Sequence, residues 1–161
     1  MNIKTFCVLA GVALLAACSS PTPPADTGAA AGAGNTAVSS GPGPGTQEDL
    51  VQNVGDRVFF ATAENSLSGD ARATLDRQAD WLGKFPQNNV QIAGNCDERG
   101  TEEYNLALGE RRANSARDYL VAKGVSSARI TTISYGKDRP TALGSDESAW
   151  SQNRNAITSV H

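Results

Sequence analysis

Apolar and polar positions fall into three regimes along the chain. Phe6 to Ala17 is an uncharged, mostly apolar run. Ser19 to Gly45 has no aromatic residue, no repeat and a single charge, Asp26. Beyond Thr46, short blocks alternate between two spacings. Arg57 to Ala61 (Arg-Val-Phe-Phe-Ala) is rich in β-formers and predicts a first strand. Ser68 suits an N-cap for a helix running to Phe85, with Ala71, Leu75, Ala79 and Leu82 on one face and Pro86 as the stop. Val90 to Gly94 reads as a second strand, followed by a polar loop, Asn95 to Gly100. Thr101 to Leu108 is weakly helical, and Gly109 predicts an interruption. A stronger helix is expected from Glu110 to Lys123, with Ala113, Ala116 and Leu120 inward and Gly124 as its left-handed cap. Ile130 to Ser134 and Ala156 to Val160 read as the third and fourth strands. The expected fold class is α/β, an α+β sandwich. It comprises a small four-stranded mixed sheet, mostly parallel through βαβ crossovers, with helices packed on one face.

The apolar run near the start is too short to span a bilayer, because twelve helical residues reach only about 18 Å against a hydrocarbon core of about 30 Å. One basic residue, Lys4, precedes it and small residues follow it, which is the pattern of a secretory signal peptide. Its exit, Leu15-Ala16-Ala17-Cys18, resembles the lipobox of bacterial lipoproteins. That resemblance implies acylation of Cys18, cleavage before it, and, with Ser19 rather than aspartate next, an outer-membrane destination. Residues 1–17 are thus expected to be a lipoprotein signal. Two acyl signals would give stable anchoring.

Composition explains the middle regime. Six of the 16 glycines and five of the seven prolines lie between Ser19 and Gly45. Such a stretch buries too little apolar surface to offset its ordering entropy, so 18–45 reads as a lipid-bearing cysteine and tether. A flexible coil of this length spans roughly 30 Å, and about 90 Å when extended. Residues 46–161 are enough for one domain with a single core. Removing Lys4 from the 14 basic residues set against 17 acidic ones takes the formal charge from −3 to −4, which does not invite nucleic acid. The only histidine is His161, so neither a His-rich metal site nor a Cys–His nucleophile is expected, and Cys96 reads as a free, partly buried thiol. No EF-hand pattern accompanies the acidic loop, and no cofactor is expected.

The chemistry concentrates after the second strand. Asp97, Glu98, Arg99, Glu102 and Glu103 crowd one loop, beyond the carboxyl end of a strand where open sheets bind ligands. If Gly109 caps the following helix, Arg111 and Arg112 occupy its first turn. They would then join the dipole and free N–H groups to form an anion site. Beside a carboxylate loop this suits a zwitterion, Asp97 taking an ammonium and Arg112 a carboxylate. The same spacing also reads as an Asp97–Arg112 salt bridge that only ties loop to helix.

The run Gly94-Asn95-Cys96-Asp97-Glu98-Arg99-Gly100-Thr101, continuing through Tyr104-Asn105-Leu106-Ala107-Leu108-Gly109-Glu110-Arg111-Arg112-Ala113-Asn114, resembles the signature of the OmpA-like peptidoglycan-binding domain family. Within it, the lipobox and tether are similar to the layout of the peptidoglycan-associated lipoproteins. Ser134 to Pro140, Leu143-Gly144 and Asn153-Arg154 extend the similarity over nearly all of Val54 to Val160. The resemblance implies noncovalent binding of the peptidoglycan stem peptide through its meso-diaminopimelate. Asp97 and Arg112 fall on the family's ligand positions, and Asn105 on an asparagine that shapes the loop. It also implies TolB and other Tol proteins as partners, and a place in the Tol–Pal system at the periplasmic face of the outer membrane, supporting envelope integrity and division.

Three departures accompany it. Asn95 stands where the family carries histidine, Ala61 where relatives carry aspartate, and Asn155 where a second arginine is usual. Two alternatives differ in what they predict. A cell-wall glycosidase would pair Asp97 with Glu102 or Glu103 and release sugar fragments, and a scaffold for protein partners would not bind the wall at all. A site on an arginine helix turn favours a binding protein over an enzyme.

Overall fold

A computed structural model describes residues 41–161. The expected signal, Cys18 and the tether up to residue 40 lie outside the described residues. Four strands, β1 (Arg57–Phe59), β2 (Val90–Asn95), β3 (Ile130–Gly136) and β4 (Asn155–Val160), make one sheet in the order β1-β4-β2-β3. The sheet is mixed as expected, but β2 and β3 form its one parallel pairing, and β4 pairs antiparallel with both β1 and β2. Alternating strands and helices imply crossovers but do not specify where a last strand inserts. Here β4 enters between β1 and β2 and splits the first βαβ unit.

The helices are α1 (Gln47–Asp49), which continues as a π-helical turn over Leu50–Val54, α2 (Gly69–Lys84), α3 (Glu102–Ala122) and α4 (Glu147–Asn153). Ser68 caps α2 as expected, its hydroxyl accepting the Ala71 N–H at 3.1 Å. At the other end of α2, Arg129 donates to the carbonyls of Leu82 and Phe85, groups that a helix terminus leaves unpaired. The core joins Leu75 and Leu82 of α2 and Ala113, Ala116 and Leu120 of α3 to Val90, Ile92 and Ile130 of the sheet. Asp49 accepts from the Trp81 indole at 2.8 Å and from the Gly45 N–H at 2.9 Å, fastening the last residue read as tether to α2.

Two expectations change. α1 and α4 were not anticipated, since each is a single short element without a full apolar period. α4 nevertheless carries a start signal, with the Asp146 carboxylate accepting the Ala149 N–H at 2.9 Å. Gly109 does not interrupt a helix either. α3 runs unbroken from Glu102 to Ala122, capped by Thr101 and closed by Gly124 at φ +99°, where the Val125 N–H reaches the Leu120 carbonyl.

Candidate functional site

Gly109 is in the helix for a packing reason. A Cβ on Gly94 would fall on the Gly109 carbonyl, and one on Gly109 would meet the Ser134 hydroxyl and the Gly94 carbonyl. Bare backbone therefore meets bare backbone where β2 ends, and α3 is held against the strand at the point where the β2–α3 loop departs. Arg112 lies one turn further along α3.

This geometry corrects the expected role of the helix terminus. The first turn of α3 holds Glu102 and Glu103, while Arg111 and Arg112 sit in mid-helix, so no free N–H groups or dipole end lie beside them. Arg111 is exposed. Arg112 is fully buried (0 % exposed) and works through its own side chain. Its Nε donates to the Glu64 carbonyl at 2.8 Å, Nη1 to the Asn95 carbonyl at 2.8 Å and Nη2 to the Ala61 carbonyl at 3.0 Å. Nη1 also approaches the Cys96 sulfur at 3.4 Å. Burial pushes its pKa down, opposed by Cys96 and Asp97, yet an arginine remains protonated. Of five N–H groups, one on Nη2 has no partner among the described residues. Two of the accepting carbonyls belong to the turn after β1, where Ala63 takes a left-handed φ of +59°. A left-handed non-glycine residue stores about 1–2 kcal/mol.

Asp97 is also buried, at 6 % exposure. Its Oδ1 accepts the Arg99 backbone N–H at 3.2 Å and Arg99 Nε at 3.1 Å, and its Oδ2 accepts Arg99 Nη2 at 2.6 Å and Arg154 Nη1 at 3.4 Å. Burial alone would raise its pKa. The Arg99 hydrogen bonds and charge, helped by Arg154, win and hold it below its ordinary value. Asp97 and Arg112 do not pair with one another among the described ion pairs, so the simple loop-to-helix bridge is replaced by two separate networks.

Asn105, at 2 % exposure, donates to the carbonyls of Arg99 and Thr101 at 2.8 and 3.1 Å and so closes the loop onto α3. Cys96 is a free, buried thiol whose pKa burial pushes up. It lies between the Arg112 guanidinium and the Asn105 carbonyl. Asp97, Arg112 and Asn105 line one cleft of about 230 Å³, with Cys96, Arg99 and Tyr104 among its other walls. Glu102 and Glu103 are exposed and do not line it, leaving Asp97 as its only carboxylate. A glycosidase pair is therefore not assembled here. Among the described residues no group of three His, Cys, Asp or Glu side chains is placed to hold a metal.

Sequence reasoning passed over two residues that complete the site. Arg154, buried between α4 and β4, links Asp97 to the Phe60 carbonyl and to Glu147. Its signal was present in the matching Asn153-Arg154 pair. Trp150 of α4 lies under the Arg99 guanidinium, 4.2 Å from its ring centre, and donates its indole N–H to Glu98. Two of the family departures also prove to be one feature. The Asn95 amide donates to Asn155 Oδ1 at 2.8 Å, both residues are buried, and Asn155 in turn donates to Gln152 and Thr141.

Residues 59–154 of the chain match the OmpA family. The chain belongs to the OmpA family. It is 59% identical over 115 residues to the peptidoglycan-associated lipoprotein of Rhizobium meliloti, covering 71% of this chain and 65% of that relative's own length. With the peptidoglycan-associated lipoprotein of Haemophilus influenzae it shares 41% identity over 155 residues, 96% of this chain and 95% of the other. Among OmpA-family structures, it resembles the crystal structure of the peptidoglycan-associated lipoprotein from Burkholderia pseudomallei, with a TM-score of 0.64 and 42% identity over 66% of this chain and 90% of that one. The C-terminal domain of Helicobacter pylori MotB shares the fold at 20% identity, with a TM-score of 0.62 over 66% of this chain and 84% of that one. The lipoprotein relatives matched here are named for association with peptidoglycan rather than for a catalytic activity.

Proposed function

We propose that this chain is a Gram-negative envelope lipoprotein that binds peptidoglycan noncovalently, through the diaminopimelate of its stem peptide. It is anchored by acylated Cys18 at the periplasmic face of the outer membrane, with residues 18–45 as the reach to the wall and 46–161 as the binding domain. The observation that carries the reading is the cleft itself. It sets a buried carboxylate, Asp97, beside a fully buried guanidinium, Arg112, that keeps one N–H uncommitted. A zwitterionic centre meets both poles at once, its ammonium at Asp97 and its carboxylate at Arg112, in charge-assisted hydrogen bonds. Asn105 keeps the loop closed while this happens. The names of the relatives support the same reading, as does the lipobox resemblance. Within the Tol–Pal system such a protein links outer membrane to wall during envelope constriction, with TolB and other Tol proteins as partners.

Cosedimentation of the full-length chain with purified sacculi tests this. Binding is expected to fall with added diaminopimelate and with Asp97→Asn, and no soluble sugar fragments are released. Retained binding in the Asp97→Asn variant would overturn the site. An unchanged mass on Cys18→Ser would overturn the anchor.

A further inference from the structure

The Asp97 carboxylate is full. Its two oxygens accept four donors, about the number of lone-pair sites a carboxylate offers. An incoming ammonium must displace one of them. Arg154 is a poor candidate to leave, since its side chain is 8% exposed and its other nitrogens are held by the Phe60 carbonyl and by Glu147 at 2.6 Å. Arg99 differs in each respect. Its side chain is 39% exposed and lines the cleft, and beyond Asp97 its guanidinium meets only the face of Trp150 among the described residues. Its backbone is pinned, because its N–H reaches Asp97 and its carbonyl accepts from Asn105. The guanidinium can therefore swing away without opening the loop. Glu98 and Glu147, whose charges already act on it, remain to receive it.

We propose that Arg99 is a tethered competitor, a built-in cation that occupies the ammonium position of the cleft and is exchanged for the ligand's ammonium on binding. This rests on the proposed zwitterion-binding role of Asp97 and Arg112. Each binding event is then an exchange of one cation for another at Asp97. The apparent affinity falls by the fraction of molecules in which Arg99 is seated. A cation without a neighbouring carboxylate gains nothing at Arg112 to drive the exchange, so the occupied cleft does not retain simple amines.

The test compares the full-length chain with its Arg99→Met variant, which keeps a stem over Trp150 but removes the charge. Titration calorimetry uses two probes: diaminopimelate, and pimelate, the same carbon chain without ammonium groups. Removing a bidentate, half-exposed ion pair is expected to tighten diaminopimelate by about fivefold. Pimelate, which does not compete for Asp97, should bind no better or more weakly. Arg99→Lys, which retains charge with a single contact, should fall between for diaminopimelate, and it decides the matter if Arg99→Met melts well below the parent. Weaker or unchanged diaminopimelate binding in folded variants would show Arg99 to be a supporting residue and overturn the inference while leaving the reading of the site intact. Absence of diaminopimelate binding in parent and variants alike would overturn both. Binding by the variant alone would support the competitor and overturn the reading for the parent chain.

Discussion

The two poles of the cleft are built in opposite ways. Arg112 rises from the middle of a helix held against a strand by backbone contact, and three carbonyls from two separate segments, the turn after β1 and the end of β2, clamp its guanidinium. Asp97 sits on a loop, and its principal partner, Arg99, is two residues away on that same loop and partly in solvent. The cationic pole is thus fixed by tertiary structure, whereas the anionic pole is set by local exchangeable bonds. Buried hydrogen bonds of a charged group are expensive to lose, while a half-exposed ion pair contributes little to stability. Damage at the first pole should appear as unfolding, and damage at the second as altered binding.

The sharpest way to break that contrast is Gly94→Ala. The new methyl group would overlap the Gly109 carbonyl, so stability should fall by about 4 kcal/mol, read from the urea midpoint. A fall below about 1 kcal/mol would mean the contact is not what fixes α3. Arg112→Met comes next. It removes three charge-assisted hydrogen bonds, the one to the Asn95 carbonyl fully buried, and should destabilise by about 3 kcal/mol while abolishing ligand binding.

Asp97→Asn should change binding far more than stability near neutral pH. Its signature lies in acid. Because the folded carboxyl has a lowered pKa, its stabilisation is complete above the unfolded value near pH 4 and is lost as pH falls through the folded value. Chemical denaturation from pH 5 to pH 2 should therefore show a flatter decline in the variant. An equal slope would remove Asp97 from the acid response. The smallest effect is expected at the amide pair: Asn95→Ala and Asn155→Ala should be non-additive, with a coupling of about 1 kcal/mol in a double-mutant cycle.

Periodicity exposed the elements that bury a full apolar face. α2 was read with its cap, and each strand was located to within two residues at either end. Asp97 and Arg112 stand out by charge and position as well as by motif similarity, Asn105 by motif similarity alone, and the three line one cleft. Arg112 does not stand at a helix terminus as expected, because a glycine in a helical stretch carries the same letter whether it ends the helix or admits a neighbouring backbone. Only the position of β2 distinguishes those cases. Arg154 was hidden for a related reason. It reaches Asp97 across a separation of 57 residues, and local spacing carries no information about that. The Asn95–Asn155 contact likewise depends on β4 lying beside β2, an order that alternation of elements does not encode.

The meeting of Gly94 and Gly109 acts as a gauge for the whole cleft. Asp97 lies three positions after Gly94 and Arg112 three positions after Gly109, so the span between the poles is measured from a junction of two glycine backbones. Rotamer changes, loop recolouring or partner contacts elsewhere can alter what lines the cleft without moving its zero point. An engineer seeking a ligand of different length would need to change that junction, or the count of residues on either side of it, rather than the charged groups themselves.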